Sequence, residues 1–146
     1  PNRSRPLRAG YARRVKRIAL VMVALLLSGC SLIGSTSWDK VEVDFSAGTT
    51  DAGDYQLVVT PKQVTYTADG DTTSQDLPEG AWTALATGLG ALGARTSEPC
   101  PDGQFLEVRA KAGDQVKQTF QASSCDAGDA FDQVQALLEQ VIEQVR

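Results

Sequence analysis

The chain has 146 residues, 42% of them hydrophobic and 22% charged, with a formal net charge of −4 and no histidine. That is enough apolar material for one domain with its own core, and the lack of His removes the commonest general base and metal ligand. All 18 acidic residues follow Cys30 but only 7 of the 14 basic ones do, so the part after Cys30 carries a net charge of −11; such a surface argues against nucleic acid as a partner, because phosphate contacts need a basic patch.

In chain order, a positive segment (Arg13, Arg14, Lys16, Arg17), an apolar run from Ile18 to Leu27 and small residues before Cys30 supply the three parts of an export signal. The apolar run is half as long as the roughly 20 residues a bilayer core requires. Leu27-Ser28-Gly29-Cys30 resembles the lipobox of bacterial lipoproteins. The resemblance implies cleavage between Gly29 and Cys30, a diacylglyceryl thioether on Cys30, and an exported protein held by N-terminal lipid at the outer face of the cell membrane. Each buried acyl methylene contributes about 0.8 kcal/mol, so two or three chains hold a protein where one does not. Residues 1–29 are then a signal peptide, 30–37 a lipidated Cys with its flexible tether, and 38–146 a single α+β domain.

Two other readings of the leader stay open. An uncleaved signal anchor would leave Cys30 an ordinary thiol. A twin-arginine signal on Arg13-Arg14 is the second, although Ala12 and Lys16 stand where a Ser or Thr and an apolar residue are expected. The long basic extension also fits a start at Val15, read from a GTG codon, which would leave residues 1–14 untranslated.

Beyond the tether, Val41, Val43 and Phe45 alternate with Lys40, Glu42 and Asp44, the period of a half-buried strand. Tyr55, Leu57 and Val59 repeat the alternation, as do Val64, Tyr66 and Ala68 after Pro61-Lys62. Pairing Val59 with Val64 also pairs Leu57 with Tyr66 and Tyr55 with Ala68, so the turn and both apolar faces agree on one register. Asp69 to Gly80 reads as a polar loop ending at Leu77-Pro78, with Pro78 placed to open a helix. Trp82, Leu85, Leu89 and Leu92 have helical spacing, weakened by Gly88 and Gly90 and stopped at Gly93.

Leu106, Val108 and Ala110 predict one face of a further strand, continued by Val116 and Phe120, for example with Val108 opposite Val116 around a Lys111-Ala112-Gly113 loop. Phe131, Val134, Leu138, Val141 and Val145 then mark a strong amphipathic helix, with Ser124 or Asp126 as its cap and Asp129 and Asp132 at its positive end. The expected fold class is α+β: an antiparallel sheet of about five strands, in the order β-β-β-α-β-β-α along the chain, with two helices packed on its apolar face.

With Cys30 lipidated, Cys100 and Cys125 remain as a pair in an oxidising compartment and are expected to form one disulfide just beyond the open end of the last hairpin. Two unrelated buried thiols are the alternative. No Ser sits in a nucleophile-elbow context, and the chain reads as a non-enzyme without metal or cofactor. Asp69-Gly70-Asp71, with Asp76 and Glu79 downstream, invites a calcium reading, but Gly80 stands where a hand-type loop needs its bidentate Glu, which favours a solvated loop. Trp82 is expected in the core, and Trp38 either over the end of the sheet or as an exposed contact residue.

After the lipobox the chain is similar to small, acidic, Ala/Gly/Asp-rich lipoproteins of actinobacteria. A fainter similarity, carried by Phe45-Ser46, Gly48 and Ala52-Gly53 ahead of a strand, is to emfourin-type inhibitors of thermolysin-like metalloproteases. The leading expectation is a membrane-anchored envelope lipoprotein, a non-catalytic interaction module with a protein or envelope partner. An extracellular protease inhibitor is the first alternative, with a loop such as Ser46 to Asp54 entering a protease cleft. A small-ligand carrier is the second, and would need an apolar cavity between sheet and helices.

Overall fold

In the computed structural model, which describes residues 37–145, the alternating segments become strands of one antiparallel sheet. Strands β1 (Lys40–Ser46), β2 (Tyr55–Val59), β3 (Gln63–Ala68) and β4 (Asp71–Asp76) precede helix α1 (Ala81–Leu92). Strands β5 (Phe105–Ala112) and β6 (Gln115–Ser123) and helix α2 (Ala130–Ile142) follow. The spatial order is β4-β3-β2-β1-β5-β6. The leader, Gly29, Cys30 and the tether through residue 36 lie outside the described residues.

The inward face follows from the period of two. Val41, Val43, Leu57, Val59, Val64, Leu106, Val108 and Phe120 are all at most 3% exposed and form one core with the buried stripes of both helices. The β2–β3 hairpin has the expected register, Val59 opposite Val64, Leu57 opposite Tyr66 and Tyr55 opposite Ala68. Its turn is tied locally: Thr60 N–H donates to the Gln63 carbonyl at 2.9 Å, and Gln63 N–H donates to Thr60 Oγ1 at 3.1 Å.

Three expectations are corrected. The stretch after Asp69 is not a loop but a sixth strand, β4, paired along its length with β3. Its residues are all exposed, so no apolar alternation marks it. Its signal is the Asp69-Gly70 turn, where both residues take positive φ (53° and 85°), as a two-residue hairpin connection demands. Second, Val108 faces Phe120 rather than Val116, and a shift after Ala110 places Val116 opposite Lys111. The extra residue of this bulge turns Val116 to the outward face, where it is 49% exposed. Third, neither Ser124 nor Asp126 caps α2: Asp129 holds the N-cap position, and its carboxylate accepts from Gln133 Nε2 at 2.6 Å.

Helix α1 starts three residues beyond Pro78, because Pro78-Glu79-Gly80 first closes a turn in which Ala81 N–H donates to the Pro78 carbonyl at 3.1 Å. Gly93 stops it, with φ 73° and its N–H on the Leu89 carbonyl at 3.3 Å. Leu85, Ala86 and Leu89 are buried, while Trp82 and Leu92 pack partly buried on the core, as does Trp38 at the entry to β1. Gly88 lets the helices approach, since a Cβ there would lie 2.8 Å from the Leu137 methyls. The chain leaving α1 then covers the outer edge of β6, with Arg95 N–H on the Thr119 carbonyl and Gln121 N–H on the Arg95 carbonyl.

Candidate functional site

Among the described residues no helix covers the outward face of the sheet, and the same period of two fills it with polar residues. Strand β1 contributes Glu42 and Asp44, and β5 contributes Glu107, Arg109 and Lys111, with Glu42 opposite Arg109 and Asp44 opposite Glu107. Glu42 is the hub of an ion-pair cluster. Lys111 Nζ lies 2.6 Å from one of its oxygens and Lys40 Nζ lies 3.0 Å from the other, with Arg109 at 3.8 Å. The Lys111 hydrogen bond holds the Glu42 carboxyl below its ordinary range against the opposing effect of burial, and Glu42 in turn raises Lys40. Arg109 also pairs with Asp44, and its Nε lies 3.5 Å from Glu107.

Toward the C-terminal end of β1 the cations stop. There the outward face meets the loops in an open cavity of about 430 Å³, whose lining includes Asp44, Asp54, Asp69, Glu107, Thr67 and Phe105. Among the described residues, four carboxylates and no Lys or Arg line it. Arg109 serves Asp44 and Glu107 from the side, and Asp54 accepts from Ala47 N–H at 2.7 Å. Its aromatic side chain is Phe105; the stack of Phe45 on Tyr55, with ring centroids 4.7 Å apart, and Tyr66 beyond it at 5.4 Å belong to the inward face.

The loops around this end are tied to one another. Cys100 and Cys125 form a disulfide with Cα atoms 6.4 Å apart, outside both β5 and β6 as expected. Gly103 sits against it, and Gly48, at φ 61°, approaches Gly103 so closely that a Cβ would lie 2.3 Å from its carbonyl oxygen. Thr49 Oγ1 donates to the Asp102 carbonyl at 3.0 Å, and Gln104 Nε2 donates to Thr50 Oγ1 at 3.3 Å. Behind the disulfide, Asp126 accepts from Ser123 N–H at 3.0 Å, from Ser97 Oγ at 2.9 Å and from Arg95 at 3.4 Å. The Ser123 amide, followed by Ser97, keeps its carboxyl below the ordinary value. This role explains why Asp126 is not a helix cap: its acceptor capacity is taken by the segment beside β6.

Of the residues singled out from sequence, Cys100 and Cys125 come together, while Gly29 and Cys30 lie outside the described residues. The calcium candidates do not converge: Asp71 and Asp76 stand at opposite ends of β4, a separation of roughly 17 Å along a strand. Among the described residues no group of three or more Cys, Asp or Glu is placed to hold a metal ion, and no helix is long and apolar enough to cross a membrane. Phe105, Thr67 and Glu107 were not anticipated as site residues. The signal for Phe105 was its position beside inward-facing Leu106, which turns an aromatic ring onto an otherwise polar face.

Chemically the arrangement is an acceptor-rich, half-open recess with one aromatic ring, Phe105, suited to hydrogen-bond donors and cationic groups of a partner. Comparison with known proteins finds no family that matches the chain, and no curated protein or solved structure that matches it.

Proposed function

We propose that the protein is an exported lipoprotein of a bacterial envelope, anchored through lipid on Cys30, and that its domain is a non-catalytic module binding a protein or envelope partner. The observation that carries the reading is the placement of the recess. The chain enters the domain at Trp38, just before β1, whereas the recess gathers at the other end of β1, roughly 20 Å away for a strand of that length. An anchor on the tether would therefore leave the acidic recess and its disulfide-tied loops on the far side from the membrane. The absence of histidine from the chain and the engagement of Cys100 with Cys125 support a binding role over catalysis.

Two measurements test this. Intact mass of the membrane-extracted protein should give a chain beginning at Cys30 with acyl mass added, gaining two protons on reduction; a chain retaining the leader overturns the anchor. A photoreactive residue at Glu107 should cross-link to a partner in intact cells while one at Gln140, on α2, does not. Equal labelling at both positions, or none at Glu107, overturns the placement of the binding surface.

One observation favours a second reading, an extracellular protease inhibitor. The loop from Ala47 to Asp54 is exposed through most of its length yet pinned at Ala47 by Thr50 and Asp54, and at Gly48 and Thr49 by the disulfide loop, the preorganisation that inhibitory loops need. Incubation with secreted metallo- and serine proteases tests it, and no inhibition at micromolar concentration retires it. The cavity between the sheet and α2, about 460 Å³, sets Phe45, Tyr55 and Ile142 beside Gln135, Glu139 and Glu143, a mixed lining rather than the apolar one a carrier needs.

A further inference from the structure

The two edges of the sheet are treated differently. The edge at β6 is covered by the segment around Arg95, which takes and gives main-chain hydrogen bonds. At the other edge, β4 is the last strand, and among the described residues nothing pairs with its outer side. Proteins block exposed edges with charged side chains, lysine above all, and with proline, bulges or very short strands. Strand β4, Asp-Thr-Thr-Ser-Gln-Asp, carries charge only at its two ends and leaves its centre unblocked: it runs six residues, contains no Lys or Pro, and pairs with β3 in an unbroken register. Its centre is rich in Thr, which favours extended backbone, and Thr67–Thr72 and Thr65–Ser74 hydroxyl pairs at 3.0 and 2.9 Å brace it against β3.

We propose that the outer edge of β4 is a docking site for an extended, basic segment of a partner protein, which adds to the sheet as a seventh strand. Main-chain hydrogen bonds would supply the attachment. The charge pattern selects the occupant. Asp71 and Asp76 close the two ends of the strand around an uncharged centre, and Asp69 and Glu79 lie just beyond them. A strand with Lys or Arg at its ends meets those carboxylates, whereas a second copy paired about the strand centre sets Asp71 against Asp76 and adds a domain of the same strong negative charge. This site shares only Asp69 with the recess and does not depend on the anchor, and its readout in 70–77 lies outside the recess lining, so either can fail without the other.

Hydrogen exchange on the full chain, read by mass spectrometry, tests the proposal. The probe is a synthetic peptide of alternating Thr and Val, as long as β4, with a lysine at each end; the controls carry glutamate at both ends or proline at the centre. Exchange in the segment 70–77 should slow with the lysine-ended peptide and stay unchanged with the proline-centred one. The lysine-ended peptide should bind about threefold to tenfold more tightly than the glutamate-ended one, from two cross-strand charge pairs. Asp71→Lys with Asp76→Lys should reverse that preference without disturbing the core, and Ser74→Pro, which removes an N–H that points away from β3, should abolish protection while leaving the β3–β4 ladder intact. No slowing at 70–77, slowing that ignores the peptide's end charges, or protection that rises with chain concentration in the absence of peptide each overturns the proposal, the last in favour of self-pairing.

Discussion

The two faces of this sheet are built by the same strands and differ in almost everything else. Facing inward, Val41, Val43, Leu57, Val59 and Leu106 are at most 1% exposed and lie against the stripes of two helices. Facing outward, Glu42, Asp44, Glu107, Arg109 and Lys111 exchange ion pairs in partial contact with water. Burial of apolar surface is the large stabilising term and exposed ion pairs are small ones. The inward face therefore sets the stability of the fold, while the outward face can vary in charge and shape at little cost. That asymmetry leaves the outward face and its recess free to take on the binding role proposed above.

The strongest test sets neighbours on one strand against each other. Leu57→Ala should destabilise by about 3–4 kcal/mol, because it removes a fully buried side chain and leaves a cavity. Gln56→Ala, one residue earlier on the outward face, should change stability by less than about 0.5 kcal/mol apart from its contact with Asp44. Urea unfolding of both variants checks this, and comparable losses would remove the distinction between the faces.

Next in size is the disulfide. Closing a loop with a sequence separation of 25 contributes about 3.5 kcal/mol in the chain-entropy model, so reduction, or Cys100→Ala with Cys125→Ala, should lower the unfolding midpoint by a corresponding amount. The loss should come with faster hydrogen exchange in 47–54 and 99–104, the loops tied through Gly48 and Thr49 to the disulfide. Uniform acceleration across the sheet would instead make the bond a general staple with no special bearing on the recess.

Arg109→Met is smaller. It removes the cation shared by Glu42, Asp44 and Glu107 and should cost about 1 kcal/mol in low salt, less as salt screens the carboxylates left behind. A loss independent of salt would assign Arg109 a packing role instead. The gentlest probe is pH. Glu42 and Asp126 both hold their protons more weakly folded than unfolded, so their stabilisation is present above the ordinary carboxylate range and is lost as pH falls through their lowered values. Melting temperature should fall on acidification from about pH 6 to about pH 2. The Glu42→Gln curve should lie below that of the parent chain at the upper end and meet it at the lower; parallel curves would remove Glu42 from the account.

Where the sequence was legible, one physical signal dominated its competitors. In the β2–β3 hairpin the apolar period and the Pro61-Lys62 turn permitted a single register, and the structure has it. In the β5–β6 hairpin several even registers kept the apolar residues on one face, and the bulge after Ala110 decided between them. Strand β4 was hidden because period-two reading needs a buried face, and an edge strand beyond the reach of the helices has none. Its Asp69-Gly70 turn was visible but was weighed for calcium rather than for its left-handed backbone.

By itself, then, the sequence determined the alternating strands, the two amphipathic helices, the pairing of Cys100 with Cys125 and the acidity of everything after Cys30, because each is written in local spacing or in composition. Tertiary structure alone decided which polar residues share a surface. Asp44, Thr67 and Phe105 come from three separate strands, and only the strand order β3-β2-β1-β5 brings them to one recess. Only the sheet's geometry, likewise, leaves β4 without an outer partner among the described residues while the chain beyond α1 closes the other edge.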